Sequence, residues 1–203
     1  MSAGFGLFLL SVIGISLSGV MSPGPLTAAT ITKGYRDQNA GFWIAIGHAA
    51  VEIPLIAIIY FGFTSFLISP EIKKMIGLAG GLMLIFMGSM MFRAMGKDLG
   101  KVDLPYNSLV AGIVMTGANP YFILWWATVG VVLITSAIEF GILGFVIFIV
   151  VHWICDLVWE QIVSITVFKT KRFWTLKIQK IIFITCALVL IGFGIWFCLA
   201  MFI

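Results

Sequence analysis

Residues 138–167 read IEFGILGFVIFIVVHWICDLVWEQIVSITV, and apolar side chains fill most of these positions. An α-helix rises about 1.5 Å per residue, so roughly 20 apolar residues cross a hydrocarbon core about 30 Å thick. Backbone N–H and C=O groups in lipid must be satisfied within the segment, and a helix achieves this. We therefore predict that this stretch is a membrane-spanning helix.

Five further apolar stretches have a similar length, so the chain has six predicted spans, numbered in chain order. The other five are 5–30, 40–64, 75–95, 107–134 and 178–202. The 203 residues are 62% hydrophobic and 10% charged, with a mean hydropathy of +1.17. Soluble domains carry roughly 25% charged residues. The composition excludes a soluble globule and predicts one all-α membrane domain over residues 1–203, surrounded by the lipid bilayer.

The basic residues are divided unequally between the two sides of the predicted bundle. Only Lys73 and Lys74 lie on the side that carries both termini. The other ten follow the first, third and fifth spans: Lys33, Arg36, Arg93, Lys97, Lys101, Lys169, Lys171, Arg172, Lys177 and Lys180. Because cytoplasmic loops are enriched in Lys and Arg, we expect these loops in the cytoplasm and both termini outside a plasma membrane. Basic residues scattered between spans also argue against a nucleic-acid partner.

Proline interrupts the chain at matching places in its two halves, about 1–97 and about 105–203. The first span is broken by MSPGP at residues 21–25, and the fourth by TGANP at residues 116–120. Three spans per half would invert the second copy relative to the first, and inverted repeats with broken helices are typical of secondary transporters. A break exposes backbone groups and a helix N-terminus to a solute, although proline can also act as a purely structural kink. The candidate substrate-binding residues at the breaks are Pro23, Gly24, Pro25, Thr27, Asn119 and Pro120.

Each half also places a histidine and an acid four residues apart in an apolar span. His48 and Glu52 share one helix face in the second span, as do His152 and Asp156 in the fifth. A charge at the bilayer centre costs about 2.5–3.5 kcal/mol on insertion scales, so these side chains should face the bundle interior. We assign both acids to substrate binding and all four residues to proton coupling. The alternative is a buried polar cluster that only fixes packing, and Glu160 is left open between the two roles.

Two other features favour anchoring or packing. Trp125 and Trp126 are expected to face lipid or the membrane interface, where tryptophan is enriched. In the third span Gly77-x-x-x-Gly81 allows another helix to approach closely, and it is compatible with a homodimer. Neither feature indicates a site by itself.

Three short elements of the chain resemble the LysE/RhtB family of amino-acid exporters. In chain order they are Pro23-Gly24-Pro25 with Gly34, Gly41, Gly47 and Glu52, then Gly117 with Asn119-Pro120, and finally Asp156 with Trp159. The resemblance implies an inner-membrane exporter of amino acids or their derivatives, driven by the proton gradient. The chain departs from the family pattern at Tyr121, where Lys is common, and at Val51, where Gly is common.

Three functions remain open on the sequence alone. The first is a secondary exporter of a small polar solute, foremost an amino acid, whose amine and carboxylate the helix breaks and acids would bind. The second is a divalent metal-ion exporter, in which the two histidines and two acids converge on a zinc-, manganese- or iron-like ion. The third is a non-transporting scaffold subunit with no cavity at the breaks. Hydrolase, metalloprotease and phosphate-loop motifs are missing from the sequence, so we expect no enzyme activity and no cofactor.

Overall fold

The structure is a computed structural model, and its regular elements are helical throughout the part of the chain that it describes. The described residues are 3–21, 24–63, 70–94, 104–173 and 175–200. The helices are α1 Ala3–Val20, α2 Pro25–Gly34, α3 Ala40–Ile58, α4 Pro70–Ala94, α5 Ser108–Gly117, α6 Pro120–Trp125, α7 Val131–Ile138, α8 Gly141–Thr170 and α9 Leu176–Ala200. The shorter segments among the described residues are Ile59–Phe63, which is kinked at Gly62 with a φ of 97°, a π turn at Trp126–Gly130 and a 3₁₀ turn at Lys171–Phe173.

Three continuous helical segments are long and apolar enough to cross a membrane: Ala40–Gly62, Tyr121–Ile138 and Gly141–Phe173. Helices α1 and α2 are bent by 76° at the break between them. They add a fourth candidate if the bent pair is counted as one broken span. Many large apolar side chains, Leu7 and Leu143 among them, lie exposed on the outer surface, as expected for contact with lipid. The chain is therefore an all-helical protein with three to four candidate membrane spans among its described residues.

Both predicted helix breaks are present. The first break separates Val20 from Pro25, and Pro23 lies outside the described residues. The second separates Gly117 from Pro120, and the Asn119 side chain caps α6 by accepting the Tyr121 N–H at 3.1 Å. Proline suits the first position of a helix because its missing N–H would have no intrahelical acceptor there. The sequence prediction of two proline-initiated breaks is confirmed.

The boundary between the predicted fourth and fifth spans lies close to where the sequence places it, around residues 136–139. Helix α7 ends at Ile138 and α8 begins at Gly141. Gly141 has a φ of 73°, a left-handed conformation that residues with a Cβ adopt rarely. The break between α7 and α8 therefore ends at this glycine.

Helix α3 is held between α5 and α8 by glycines that allow backbone contact. A Cβ added to Gly47 would collide with the carbonyl oxygen of Leu109 in α5, and one added to Gly41 would collide with the carbonyl oxygen of Glu160 in α8. The start of α3 is also fixed on α8, because the Phe42 N–H donates to Gln161 Oε1 at 2.8 Å. Helix α3 therefore lies close enough to α8 for their polar residues to meet.

The glycines of α4 pack within the chain. A Cβ on Gly81 would lie 2.6 Å from the carbonyl oxygen of Gly194 in α9, and one on Gly88 would lie 2.8 Å from that of Ala187. These glycines thus allow α4 to approach α9, in agreement with the close helix contact predicted from their spacing. A homodimer stays a prediction, and these two glycines do not argue for it.

Candidate functional site

A cavity of about 100 Å³ lies where the two helix breaks meet the middle of α3 and α8. Roughly 10–15 Å³ of such space holds one water molecule, so the cavity has room for several waters or a small solute. Eight of the predicted site residues line it: Gly24, Pro25, Thr27, His48, Glu52, Asn119, His152 and Asp156. Pro120, the first residue of α6, directly follows Asn119. The prediction that the breaks and the ionisable residues form one site agrees with this arrangement.

Four of these residues form a buried cluster, called here the quartet: His48 and Glu52 from α3, and His152 and Asp156 from α8. Each is at most 7% exposed. Both imidazoles reach the same carboxylate oxygen, Glu52 Oε1, with Nε2 of His48 at 3.0 Å and Nε2 of His152 at 3.2 Å. Asp156 Oδ2 lies 3.6 Å from the His152 Nε2 atom and 3.9 Å from that of His48. The quartet therefore brings two imidazole nitrogens next to the oxygens of two carboxylates.

The other nitrogen of each imidazole is held by a hydroxyl group. Ser16 Oγ in α1 lies 2.7 Å from Nδ1 of His152, and Thr116 Oγ1 in α5 lies 2.8 Å from Nδ1 of His48. These bonds fix the ring orientations so that both Nε2 atoms point at the carboxylates. Neither hydroxyl was predicted as part of the site, although Thr116 belongs to the TGANP break.

Two carboxylate oxygens in the quartet lack a hydrogen-bond partner among the described residues. They are Glu52 Oε2 and Asp156 Oδ2, and both are buried. The remaining oxygen of Glu52 also receives the indole N–H of Trp126 at 3.3 Å. Buried polar atoms are almost always satisfied, so unpaired carboxylate oxygens at a cavity indicate a place for a cationic or hydrogen-donating ligand.

A third acid lies one helical turn from the quartet. Glu160 of α8 is 1% exposed, lines the cavity and accepts a hydrogen bond from the Thr30 hydroxyl of α2. The sequence left the role of Glu160 open between site and packing. Its place in the cavity wall associates it with the site. Thr30, which the spacing predicts on the same helix face as Thr27, supplies its hydrogen-bond donor.

Aromatic rings enclose the histidines. Trp125 stacks on His152 with ring centroids 5.6 Å apart, and Trp126 meets the same ring edge-on at 5.1 Å. Phe122 contacts His48 edge-on at 5.3 Å. The expectation that Trp126 faces lipid or the membrane interface is wrong. The Trp126 side chain is 1% exposed, and its N–H donates to Glu52 inside the bundle. Trp125 also lines the cavity.

Comparison with known proteins gives one family. A sequence model of the LysE type translocator matches residues 17–201. No curated protein and no solved structure matches the chain. The family match starts in α1 and includes both helix breaks, the quartet and α9, and it confirms the resemblance drawn from the short elements. The chain is a multi-pass membrane protein that belongs to the LysE type translocator family, a family of transporters.

Proposed function

We propose that this protein is a secondary transporter that exports a small polar solute, foremost an amino acid or a derivative, in exchange for protons. The observation that carries the proposal is a cavity at two helix breaks, lined by two acids that each have a buried carboxylate oxygen with no hydrogen-bond partner among the described residues. A free amine is a strong donor for such oxygens, because hydrogen bonds between charged groups are about twice as strong as neutral ones. The amine of the solute binds Glu52 Oε2 and Asp156 Oδ2.

The carboxylate of the solute binds at the start of α2. The first N–H groups of a helix have no intrahelical acceptor and carry partial positive charge, which attracts anions. No side chain among the described residues caps this helix, whose N-cap is Gly24, and both Gly24 and Pro25 line the cavity. A small amino acid placed between this helix end and the quartet would present its carboxylate to the positive end of the helix dipole and its amine to the acids.

Proton coupling follows from the competition for the same acids. A proton on Glu52 or Asp156 removes the negative charge that attracts the amine, so proton and solute bind in turn. Ionised acids inside a membrane are costly unless they are compensated. The two imidazoles, which both contact Glu52 Oε1, are placed to hold a proton during the exchange.

The proposed architecture is six spans in two inverted repeats, about 1–97 and about 105–203, in a plasma membrane with both termini outside. Two hydrogen bonds support the repeat. Ser16 of the first half binds His152 of the second, and Thr116 of the second half binds His48 of the first. Such a reciprocal exchange is what two copies related by a twofold axis produce. The scaffold alternative predicts no cavity at the breaks, and the cavity there argues against it.

The test is flux in proteoliposomes that contain the purified full chain. Labelled amino acids are followed with and without an imposed pH gradient, and flux should rise with the gradient. Loss of one charged hydrogen bond, about 1.5–3 kcal/mol, should lower flux about 10- to 100-fold in Glu52→Gln and in Asp156→Asn. Glu139→Gln, an exposed acid at the α7–α8 turn, is the matched control and should keep normal flux. Normal flux in both site variants, or no flux of any amino acid, would remove the proposal.

A further inference from the structure

The geometry points to a second ligand for the quartet: one divalent transition-metal ion, held by Nε2 of both histidines and by the carboxylates of Glu52 and Asp156. This inference does not rest on the proposed solute, because the donor atoms are in place whichever solute is exported. The ion would lie between the two carboxylates that are proposed to bind the amine, so metal and amine would compete for the same pair of acids.

The separations between the donor atoms fit a single ion. Zinc bonds to imidazole nitrogen and carboxylate oxygen are about 2.0–2.2 Å long, so two donors of one ion lie no more than about 4.4 Å apart. The four nitrogen-to-oxygen separations of the quartet are 3.0, 3.2, 3.6 and 3.9 Å. Donor atoms of His48, Glu52 and Asp156 lie within 4.8 Å of one another, and His152 is not part of that group. These three residues form the core of the proposed site, and His152 joins them only after its side chain rotates toward the ion.

The surroundings of the imidazoles are those of metal-binding histidines. Such histidines almost always bond through their other ring nitrogen to a polar group, which fixes the ring and its tautomer. Here the hydroxyls of Ser16 and Thr116 occupy that position at 2.7 and 2.8 Å. A hydroxyl can donate or accept, so it suits the ring both when Nε2 carries a proton and when Nε2 turns its lone pair to a metal.

Charge and chemistry favour a transition metal over other cations. Two ionised carboxylates balance one divalent ion, so a metal with neutral imidazoles gives a site of no net charge in a region where net charge is costly. Imidazole ligands favour zinc, cobalt, nickel, copper or iron, whereas calcium and magnesium prefer oxygen donors alone. Glu52 Oε2 and Asp156 Oδ2 accept no hydrogen bond from the described residues, so each carboxylate keeps lone pairs for such an ion.

Cobalt titration of the purified full chain tests the site without any transport measurement. Co²⁺ should bind with one equivalent per chain, give the visible absorption of a low-coordinate nitrogen and oxygen site, and be displaced by Zn²⁺. His48→Gln and His152→Gln should each weaken Co²⁺ binding at least tenfold. Cys155→Ser is the matched control on the same helix, and it should leave the spectrum unchanged, since the proposed site contains no thiolate.

A milder variant guards against loss of folding. Ser16→Ala keeps both histidines and removes only the hydroxyl, and it should weaken Co²⁺ binding about 10- to 100-fold, as changes behind metal ligands do. No visible cobalt band in the unaltered protein, or an unchanged band in the double variant His48→Gln/His152→Gln, would overturn the inference. If cobalt binds but no amino acid is transported, the metal site stands and the proposed exporter fails. If amino acids are transported but cobalt does not bind, the exporter stands and the metal site fails.

Discussion

Replacing Gly47 by alanine should push α3 away from α5 and disturb the site through backbone geometry alone. The new Cβ would collide with the Leu109 carbonyl oxygen and lie 2.9 Å from the Ile113 backbone nitrogen. Relief requires a helix shift of about 1 Å, since backbone atoms cannot rotate away and ordinary carbon contacts are about 3.5–4.0 Å long. The 2.8 Å bond between Thr116 and His48, which joins the same two helices, would then exceed hydrogen-bond length.

The free-energy cost of the collision at Gly47 can be isolated by comparison with a second helical glycine. Overpacking in a dense interior costs about 1–3 kcal/mol, whereas alanine in place of glycine within a helix gains about 1 kcal/mol. Gly14→Ala in α1 should show that gain alone, because nothing lies within 4 Å of its added Cβ. The difference between the two variants therefore isolates the collision, about 1–3 kcal/mol. Thermal unfolding of both variants in detergent measures this difference, and flux is measured on the same preparations. A melting temperature of the Gly47→Ala variant as high as that of the Gly14→Ala variant would refute the close contact between α3 and α5.

Two side-chain contacts give further predictions. Thr30→Val removes the hydroxyl that donates to the buried Glu160 carboxylate and should lower the free energy of unfolding by about 1–3 kcal/mol. Thr30→Ser keeps a hydroxyl and should not lower it. Equal melting temperatures of the two variants would contradict the hydrogen bond. Trp126→Phe keeps an aromatic ring but removes the N–H that donates to Glu52 at 3.3 Å. It should raise the KM for the exported solute several-fold, and an unchanged KM would contradict the contact. The melting temperature should also fall, because the smaller ring leaves buried space where Trp126 was 1% exposed.

The central part of the site was predictable because the membrane makes ionisable residues conspicuous. In a span as apolar as residues 138–167, His152 and Asp156 are costly unless they face a partner, and their spacing of four puts them on one helix face. The same argument applies to His48 and Glu52. Proline is equally conspicuous inside a helix, so the positions of the two breaks also followed from sequence.

The hydroxyls that orient the histidines were not predictable in this way. Serine and threonine are common in apolar helices and usually bond to the carbonyl of the preceding turn. Thr128 and Thr135 do so here, with bonds of 2.7 Å to Leu124 O and 3.0 Å to Val131 O. Nothing local distinguishes Ser16 from them, because its partner lies 136 residues away in the chain. Only tertiary packing identifies it.

Trp126 shows how an average preference fails at a particular position. Tryptophan gathers at membrane interfaces because its ring is apolar and its N–H needs a polar partner. A buried carboxylate supplies that partner as well as water does, and Glu52 stands 3.3 Å from the indole nitrogen. A buried acid can therefore accept the N–H of a buried tryptophan. A preference assigned to each residue type separately does not take such a pair into account.

The reciprocal hydroxyl bonds tie the site to the arrangement of the helices. If α1 moves relative to α8, the Ser16–His152 bond must break, and if α5 moves relative to α3, the Thr116–His48 bond must break. Each movement frees one imidazole, and both imidazoles contact the same oxygen of Glu52. In the proposed export cycle, a helix movement at either break would therefore change the hydrogen bonding of the one carboxylate that binds proton or amine. No contact beyond these four hydrogen bonds is needed to couple helix movement to the binding of proton or amine at Glu52.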